Sequence, residues 1–134
     1  MRVAHLLKSW LPVVIWAGVI FALSSIPSLS SGLGTWDLVL RKLAHAAEFA
    51  LLALLVWRAL GRPCVALLAT VAYAASDEIH QHFVRGRAGT PRDVAIDAAG
   101  ALVGLSLYRG LRRRSRRNGG PTALPASGSG RPDR

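Results

Sequence analysis

The chain has one cysteine, Cys64, so it can form no intrachain disulfide and no thiolate cluster for zinc or iron–sulfur. Alone, that thiol reads as a small apolar packing residue. Acids are scarce as well, with seven Asp and Glu against seventeen Lys and Arg in 134 residues. No nucleophile motif stands out, and no motif asks for a cofactor. The chain also has little polar surface to offer water. Stretches such as Phe49-Ala50-Leu51-Leu52-Ala53-Leu54-Leu55-Val56-Trp57 are apolar all round, which argues against a soluble helical bundle. A length of this order leaves room for one compact domain.

The excess of base is unevenly placed. From Arg112 onward seven basic residues stand against one acid, a net of +6, whereas residues 1–111 carry ten basic and six acidic residues, a net of +4. The run Arg112-Arg113-Arg114-Ser115-Arg116-Arg117 directly follows an apolar stretch, where positive charge collects on the cytoplasmic side of a membrane span. The expected partners are therefore the lipid bilayer and, at this run, anionic headgroups. No nucleic acid partner is expected, since no soluble fold precedes the basic segment.

Four apolar segments each approach the ~20 residues a helix needs to cross ~30 Å of hydrocarbon. They run from about Trp10 to Pro27, Leu43 to Leu60, Pro63 to His80, and Val94 to Leu111. The expected fold is all-α, a four-helix transmembrane bundle. Arg2 and Lys8, then Arg58 and Arg62, then the arginine run place both the N- and C-termini on the cytoplasmic side. Trp10 and Trp57 suit the inner interface and Trp36 an outer loop. Two regions follow: a membrane domain over 1–111 and a basic, disordered cytoplasmic tail over 112–134, Gly-, Pro- and Ser-rich from Asn118. The first segment also has the outline of a signal peptide, with small residues at Ala22 and Ser24.

Every acid and histidine within the later segments falls at one end. His45 and Glu48 lie near the outer start of the second, Asp77, Glu78 and His80 at the outer end of the third, and Asp93 and Asp97 at the outer start of the fourth. His45 and Glu48 are spaced i,i+3 and share a helix face; so do Asp77 with His80 and Gln81, and Asp93 with Asp97. Thr70 and Tyr73 extend the Asp77 stripe inward. Adjacent Asp77 and Glu78 point about 100° apart, so only one can face the bundle centre. A charge deep in the bilayer costs ~2.5–3.5 kcal/mol on insertion scales, so acids gathered here must pair or face a wet cavity. Lys42, His45, Arg87 and Arg92 are the available partners. The candidate polar pocket is Lys42, His45, Glu48, Asp77, Glu78, Gln81, Arg87, Asp93 and Asp97. The plain alternative is a structural hydrogen-bond network. Gly100 and Gly104 form a small-residue pair suited to close helix packing within the chain. Ser24 and Ser25 either reach into the cluster or bond their own helix carbonyls.

At these residues the chain resembles the VanZ-like membrane proteins. The resemblance rests on Ser24-Ser25 with Pro27, Lys42 through Phe49, Asp77-Glu78-Ile79-His80-Gln81-His82-Phe83, Gly86-Arg87, and Asp93 through Gly104. The family often has Pro where Arg85 stands here and Asn where Asp97 stands. It implies a bacterial cytoplasmic-membrane setting and a link to the cell envelope; the member that gives the family its name is associated with low-level resistance to teicoplanin-type glycopeptides.

Three functions remain open. The first is an outward-facing pocket that binds a polar headgroup, a polyprenyl-linked cell-wall intermediate or a glycopeptide, with Lys42, Arg87 and Arg92 meeting phosphate. The second is a membrane-embedded acid–base enzyme on a lipid-linked substrate, using Glu48, Asp77, Glu78 and His45, with a metal-assisted variant that would recruit His45, Glu48 and Asp77. The third is a small proton-linked transporter.

Overall fold

In the computed structural model the described residues are 2–27, 35–87 and 89–118. They form four α-helices and no strand: α1 (Arg2–Ser24), α2 (Thr35–Leu60), α3 (Pro63–Gln81) and α4 (Pro91–Asn118). Helix α2 is the centre of the bundle and packs against the other three, while α1 and α4 do not touch.

Local chemistry sets the helix ends. Pro27 disfavours helical backbone in the residue before it, and α1 stops at Ser24 with Ser25 and Ile26 in a turn. Helix α2 starts earlier than its apolar run, because Asp37 in its first turn pairs with Arg41 one turn on. Trp36, expected in a loop, consequently sits in that first turn and is exposed. Gly61, at φ 70°, ends α2, and Pro63 opens α3 two residues later. Thr90 and Asp93 bracket the start of α4: the Thr90 hydroxyl donates to Asp93 Oδ2 at 2.9 Å, and Asp93 N–H donates to the Thr90 carbonyl. Helix α4 continues through the arginine run, so residues 112–118 of the expected tail are helical. Arginine is a good helix former, and Arg112 lies 5.8 Å over the Tyr108 ring. The rest of that tail lies outside the described residues.

Pro12 interrupts α1 and leaves the Lys8 carbonyl without its usual helical donor. Arg58, in the last turn of α2, donates to Lys8 O at 3.3 Å and Ser9 O at 3.4 Å. A residue that the charge pattern assigned to topology therefore also repairs the neighbouring helix.

Three helical stretches are long and apolar enough to cross a membrane: Leu6–Ser24, Thr35–Leu60 and Pro91–Ser115. Helix α3 has 19 residues and so about 28 Å of length, but Ser76, Asp77, Glu78, His80 and Gln81 make its C-terminal end polar. Of its polar residues Thr70, Asp77, Glu78 and Gln81 are buried, while Ser76 is exposed and His80 half-buried.

Along the seam between α2 and α4 small residues let the backbones approach. A Cβ added at Gly100 would overlap the Ala46 carbonyl, and one at Gly104 would come within 2.9 Å of the Ala50 Cβ. Ala53, Ala101 and Leu105 continue this seam inward, and Trp57 meets Tyr108 edge-on. On the other side of α2, Phe49, Leu52 and Val56 pack with Val13, Ile20, Ala66 and Ala74.

Candidate functional site

The polar residues at the C-terminal end of α3 converge with those of α1, α2 and α4 at one end of the bundle. Asp77 faces the centre. Its Oδ2 accepts from the Ser24 hydroxyl at 2.7 Å and from Gln81 Nε2 at 2.9 Å. His45 lies above it on α2, with Nε2 at 3.4 Å from Ser24 Oγ and 3.5 Å from Asp77 Oδ2. On its other side, His45 Nδ1 is 3.0 Å from both oxygens of Asp97, which is 1% exposed. One histidine therefore bridges two buried carboxylates carried by different helices. Tertiary packing explains this: the close approach at Gly100, one turn inward from Asp97, brings α4 within reach of α2.

Glu78 points away from Asp77, as their 100° offset requires, yet it is buried too. Its Oε1 accepts the backbone N–H of Thr90, joining α3 to the start of α4. Gly89 packs directly beneath: a Cβ there would stand 2.5 Å from the Glu78 carbonyl oxygen and 3.2 Å from Oε1. Lys42 pairs with Asp93, which also accepts from Thr90. Arg87, in the loop between α3 and α4, donates Nε to Ile26 O at 3.0 Å, Nη2 to Leu23 O at 3.1 Å and Nη1 to Gln81 Oε1 at 3.3 Å. It thus caps carbonyls at the end of α1 while touching the cluster. Burial lowers the affinity of this guanidinium for its proton, and nearby Arg41 acts in the same direction, while Asp77, Glu48 and Glu78 act against it.

These groups surround a recess of about 160 Å³. Lys42, His45, Glu78, Gln81, Arg87, Asp93 and Asp97 line it, together with Arg41, Leu38, Gly86 and Ile96. Of the residues expected from sequence, Asp77 and Glu48 lie outside this lining. Asp77 is sealed under Gln81 and Ser24. Glu48 sits one turn inward from His45; its carbonyl accepts from Trp16 Nε1 at 2.9 Å, and its Oε2 is buried without a hydrogen-bond partner. Asp77 Oδ1, Glu78 Oε2 and Thr70 Oγ1 share that unpartnered state.

One expectation needs correcting. Arg92, proposed as a phosphate partner, is exposed and does not line the recess. It precedes Asp93 by one residue, and the 100° step turns it off the face that meets Lys42. On the inward polar line the Tyr73 hydroxyl donates to the Ala17 carbonyl of α1 at 2.7 Å. Ser24 and Ser25 divide the two roles open to them. Ser24 enters the cluster, while Ser25 donates to Phe21 O at 2.7 Å and lies 3.0 Å from His80 Nε2. His80 in turn stacks on Phe21 at 4.3 Å between centroids. Thr90, Gly89 and Arg41 were not singled out from sequence. The Thr90-Pro91-Arg92-Asp93 run carries the signature of a helix start and could have revealed the first.

Among the described residues no three His, Cys, Asp or Glu side chains are arranged to hold a metal ion. The metal-assisted variant of the enzyme reading therefore has no ligand set there.

Comparison with curated proteins gives no match, and comparison with solved structures gives none. A family model described as VanZ/LLP1 matches residues 5–112. That range takes in the ordered motif set from Ser24 through Gly104, all four helices in large part, and every residue lining the recess. The chain belongs to the VanZ/LLP1 family.

Proposed function

We propose that this protein lies in a bacterial cytoplasmic membrane with all four helices crossing it, both termini cytoplasmic, and that its outward-facing recess binds the phosphate-bearing headgroup of a lipid-linked cell-wall intermediate. The burial of Thr70, Asp77, Glu78 and Gln81 supports a fourth span, because the acids and the amide that depress the hydropathy of α3 are covered by protein rather than lipid. Arg58 and Arg62 at the α2–α3 turn and the arginines of α4 support the orientation. Residues 1–111 form the membrane unit in this reading, and the basic segment after it meets anionic headgroups.

The observation that carries the binding reading is the chemistry of the recess wall. Arg41, Lys42 and Arg87 face Glu78, Asp93 and Asp97 across it, so the lining is close to balanced in charge. Most of these charges are already paired. What remains is donor capacity on Arg87, whose guanidinium has five N–H groups and spends three, and acceptor capacity on Glu78 Oε2. A phosphate ester carrying a hydroxyl meets both. Size points the same way: ordinary small-molecule pockets hold ~300–1,000 Å³, so a recess of about 160 Å³ encloses one headgroup and no glycopeptide. Any part in glycopeptide resistance would then act through the envelope intermediate.

Titrating purified protein in nanodiscs with polyprenyl phosphates, read by thermal shift, tests this. Lys42→Ala should weaken binding about tenfold, the equivalent of ~1.4 kcal/mol. No shift in the wild-type protein at any concentration would reject the reading.

A second reading has one specific observation behind it. The order Asp97, His45, Ser24 places a carboxylate on Nδ1 and a hydroxyl near Nε2, the arrangement that acid–base catalysis uses. Ser24 is 1% exposed and donates to Asp77, so it is not offered to a substrate; His45, which lines the recess, is the group placed to move a proton. A membrane-embedded acid–base enzyme would lose turnover in Asp97→Asn while keeping headgroup affinity. Proton-linked transport draws least support, given the commitment of Tyr73 to a backbone carbonyl.

A further inference from the structure

A second cavity, of about 530 Å³, opens on the outer flank of the bundle between the end of α3 and the start of α4. Ala75, Ile79, Phe83 and Val94 give it an apolar wall. Ile79 is 65% exposed and Phe83 84%, so this wall faces what surrounds the protein. From Ala75 the groove follows α3 for about 9 Å to its end at Gln81 and continues to Phe83 in the turn beyond. The two cavities share one residue, Glu78.

Glu78 is 6% exposed, and only one of its two carboxyl oxygens is satisfied. Thr90 N–H fixes Oε1, which locks the orientation of the group, while Oε2 is left without a donor. A bilayer tail lying alone in the groove would leave that buried oxygen unpaired, which is costly. An occupant that ends in a donor beside the carboxyl would not. The loop is shaped for this contact, since Gly89 is the residue that lets backbone close over Glu78.

We infer that the groove between α3 and α4 is the chain-binding half of a two-part lipid site, taking the first stretch of hydrocarbon of a lipid phosphate whose headgroup occupies the recess, with Glu78 accepting a hydroxyl at the junction. This rests on the headgroup reading and adds to it the class of ligand: an amphiphile with a phosphate, an adjacent hydroxyl and a chain. A water-soluble sugar phosphate would fill only half of the site. The groove explains why an apolar hollow ends at a carboxylate, which neither lipid solvation nor headgroup binding accounts for alone.

Photo-crosslinking in nanodiscs tests the inference with three probes of one chain length, each with a diazirine on the chain. One ends in a glycosyl phosphate, one in a bare phosphate and one in a hydroxyl. In wild-type protein the glycosyl phosphate probe should label Ile79, Phe83 and Val94, about tenfold more than the alcohol probe, the equivalent of ~1.4 kcal/mol. Ala75→Trp, which fills the groove from a residue outside the recess, should remove that labelling while the thermal shift with a chainless glycosyl phosphate stays unchanged. Glu78→Gln should lower labelling by the glycosyl phosphate probe relative to the bare phosphate probe, which has no sugar hydroxyl to lose and meets one negative charge fewer. If the glycosyl phosphate probe binds yet labels lipid-facing residues of all helices evenly, the groove assignment is overturned and the headgroup reading stands. If the alcohol and phosphate probes label the groove equally, the headgroup reading fails, and the two-part site fails with it. The wild-type labelling map is decisive even if the tryptophan variant does not assemble.

Discussion

Along the seam between α2 and α4 the same two helices meet in two ways. Inward of His45 the contacts are Ala46 with Gly100 and Ala50 with Gly104, followed by Ala53, Ala101 and Leu105. Outward, they are His45 with Asp97 and Lys42 with Asp93. The inner half holds by van der Waals contact between backbones and offers nothing to a ligand. The outer half holds by hydrogen bonds between groups that would be costly in lipid, and it leaves a hollow among them. The two are coupled. Glycine at position 100 sets the helix separation that lets a short aspartate reach the histidine ring one turn away. The difference teaches that the reactive-looking end depends on the inert one.

Breaking the inert half should therefore produce the largest effect. Gly100→Ala places a methyl group into the Ala46 backbone, which cannot swing aside as a side chain would. Overpacking of this kind costs ~1–3 kcal/mol, and the backbone contact puts it at about 3. Gly104→Ala meets the Ala50 methyl at 2.9 Å and should cost about 1 kcal/mol. Unfolding in detergent with a denaturant series would rank the two. Equal, small losses would mean the helices are not this close, and the His45–Asp97 contact would lose its structural basis.

Next in size is the centre of the polar half. Asp77→Ala strands the Ser24 hydroxyl and the Gln81 amide in a buried place and removes a carboxylate from His45. Breaking a buried charged network in this way costs ~3 kcal/mol, less where membrane-embedded hydrogen bonds find new partners. Asp77→Asn keeps an acceptor for Ser24 and should cost about half as much, ~1.5 kcal/mol. Should Asp77→Ala be as stable as the wild type, the cluster is not what joins α1 to α3.

The sequence revealed the bundle because its apolar segments are long and separated by short polar breaks, signals that survive without knowledge of packing. It revealed the shared end of the site for a topological reason: in an alternating bundle, residues early, late and early in successive helices meet at one face. The ends of the helices were less legible, since Asp37 with Arg41 and the arginine run carry α2 and α4 beyond their apolar cores. Which cation faces the recess was illegible at single-residue resolution. Arg92 and Asp93 differ by one position, and only the contact with Lys42 decides which of the two turns inward. Nor could spacing tell that Glu48 and Asp77 lie under the recess rather than in its wall, because depth depends on how far each helix is shifted along its neighbours. Arg87 lines the recess, but its hold on the carbonyls of α1 is something no side-chain pattern encodes.

The smallest effect should come where polar and apolar halves meet on the opposite side of α2. Tyr73 stands below Asp77 on α3, packs against Phe49 at 6.1 Å between centroids, and donates to the Ala17 carbonyl of α1. Ala17 lies in a continuous helix, so its carbonyl already accepts from its own turn, and the tyrosine supplies a second bond to the same oxygen. Tyr73→Phe keeps the ring and its packing while removing that second bond. Hydrogen bonds of this type within membranes average ~0.6 kcal/mol, so the variant should unfold only slightly earlier and bind lipid phosphate as well as the wild type. A loss of several times that amount, or a loss of binding, would show that the polar line below Asp77 belongs to the site after all, and the division between an inert interior and a working outer end would have to move inward by one turn.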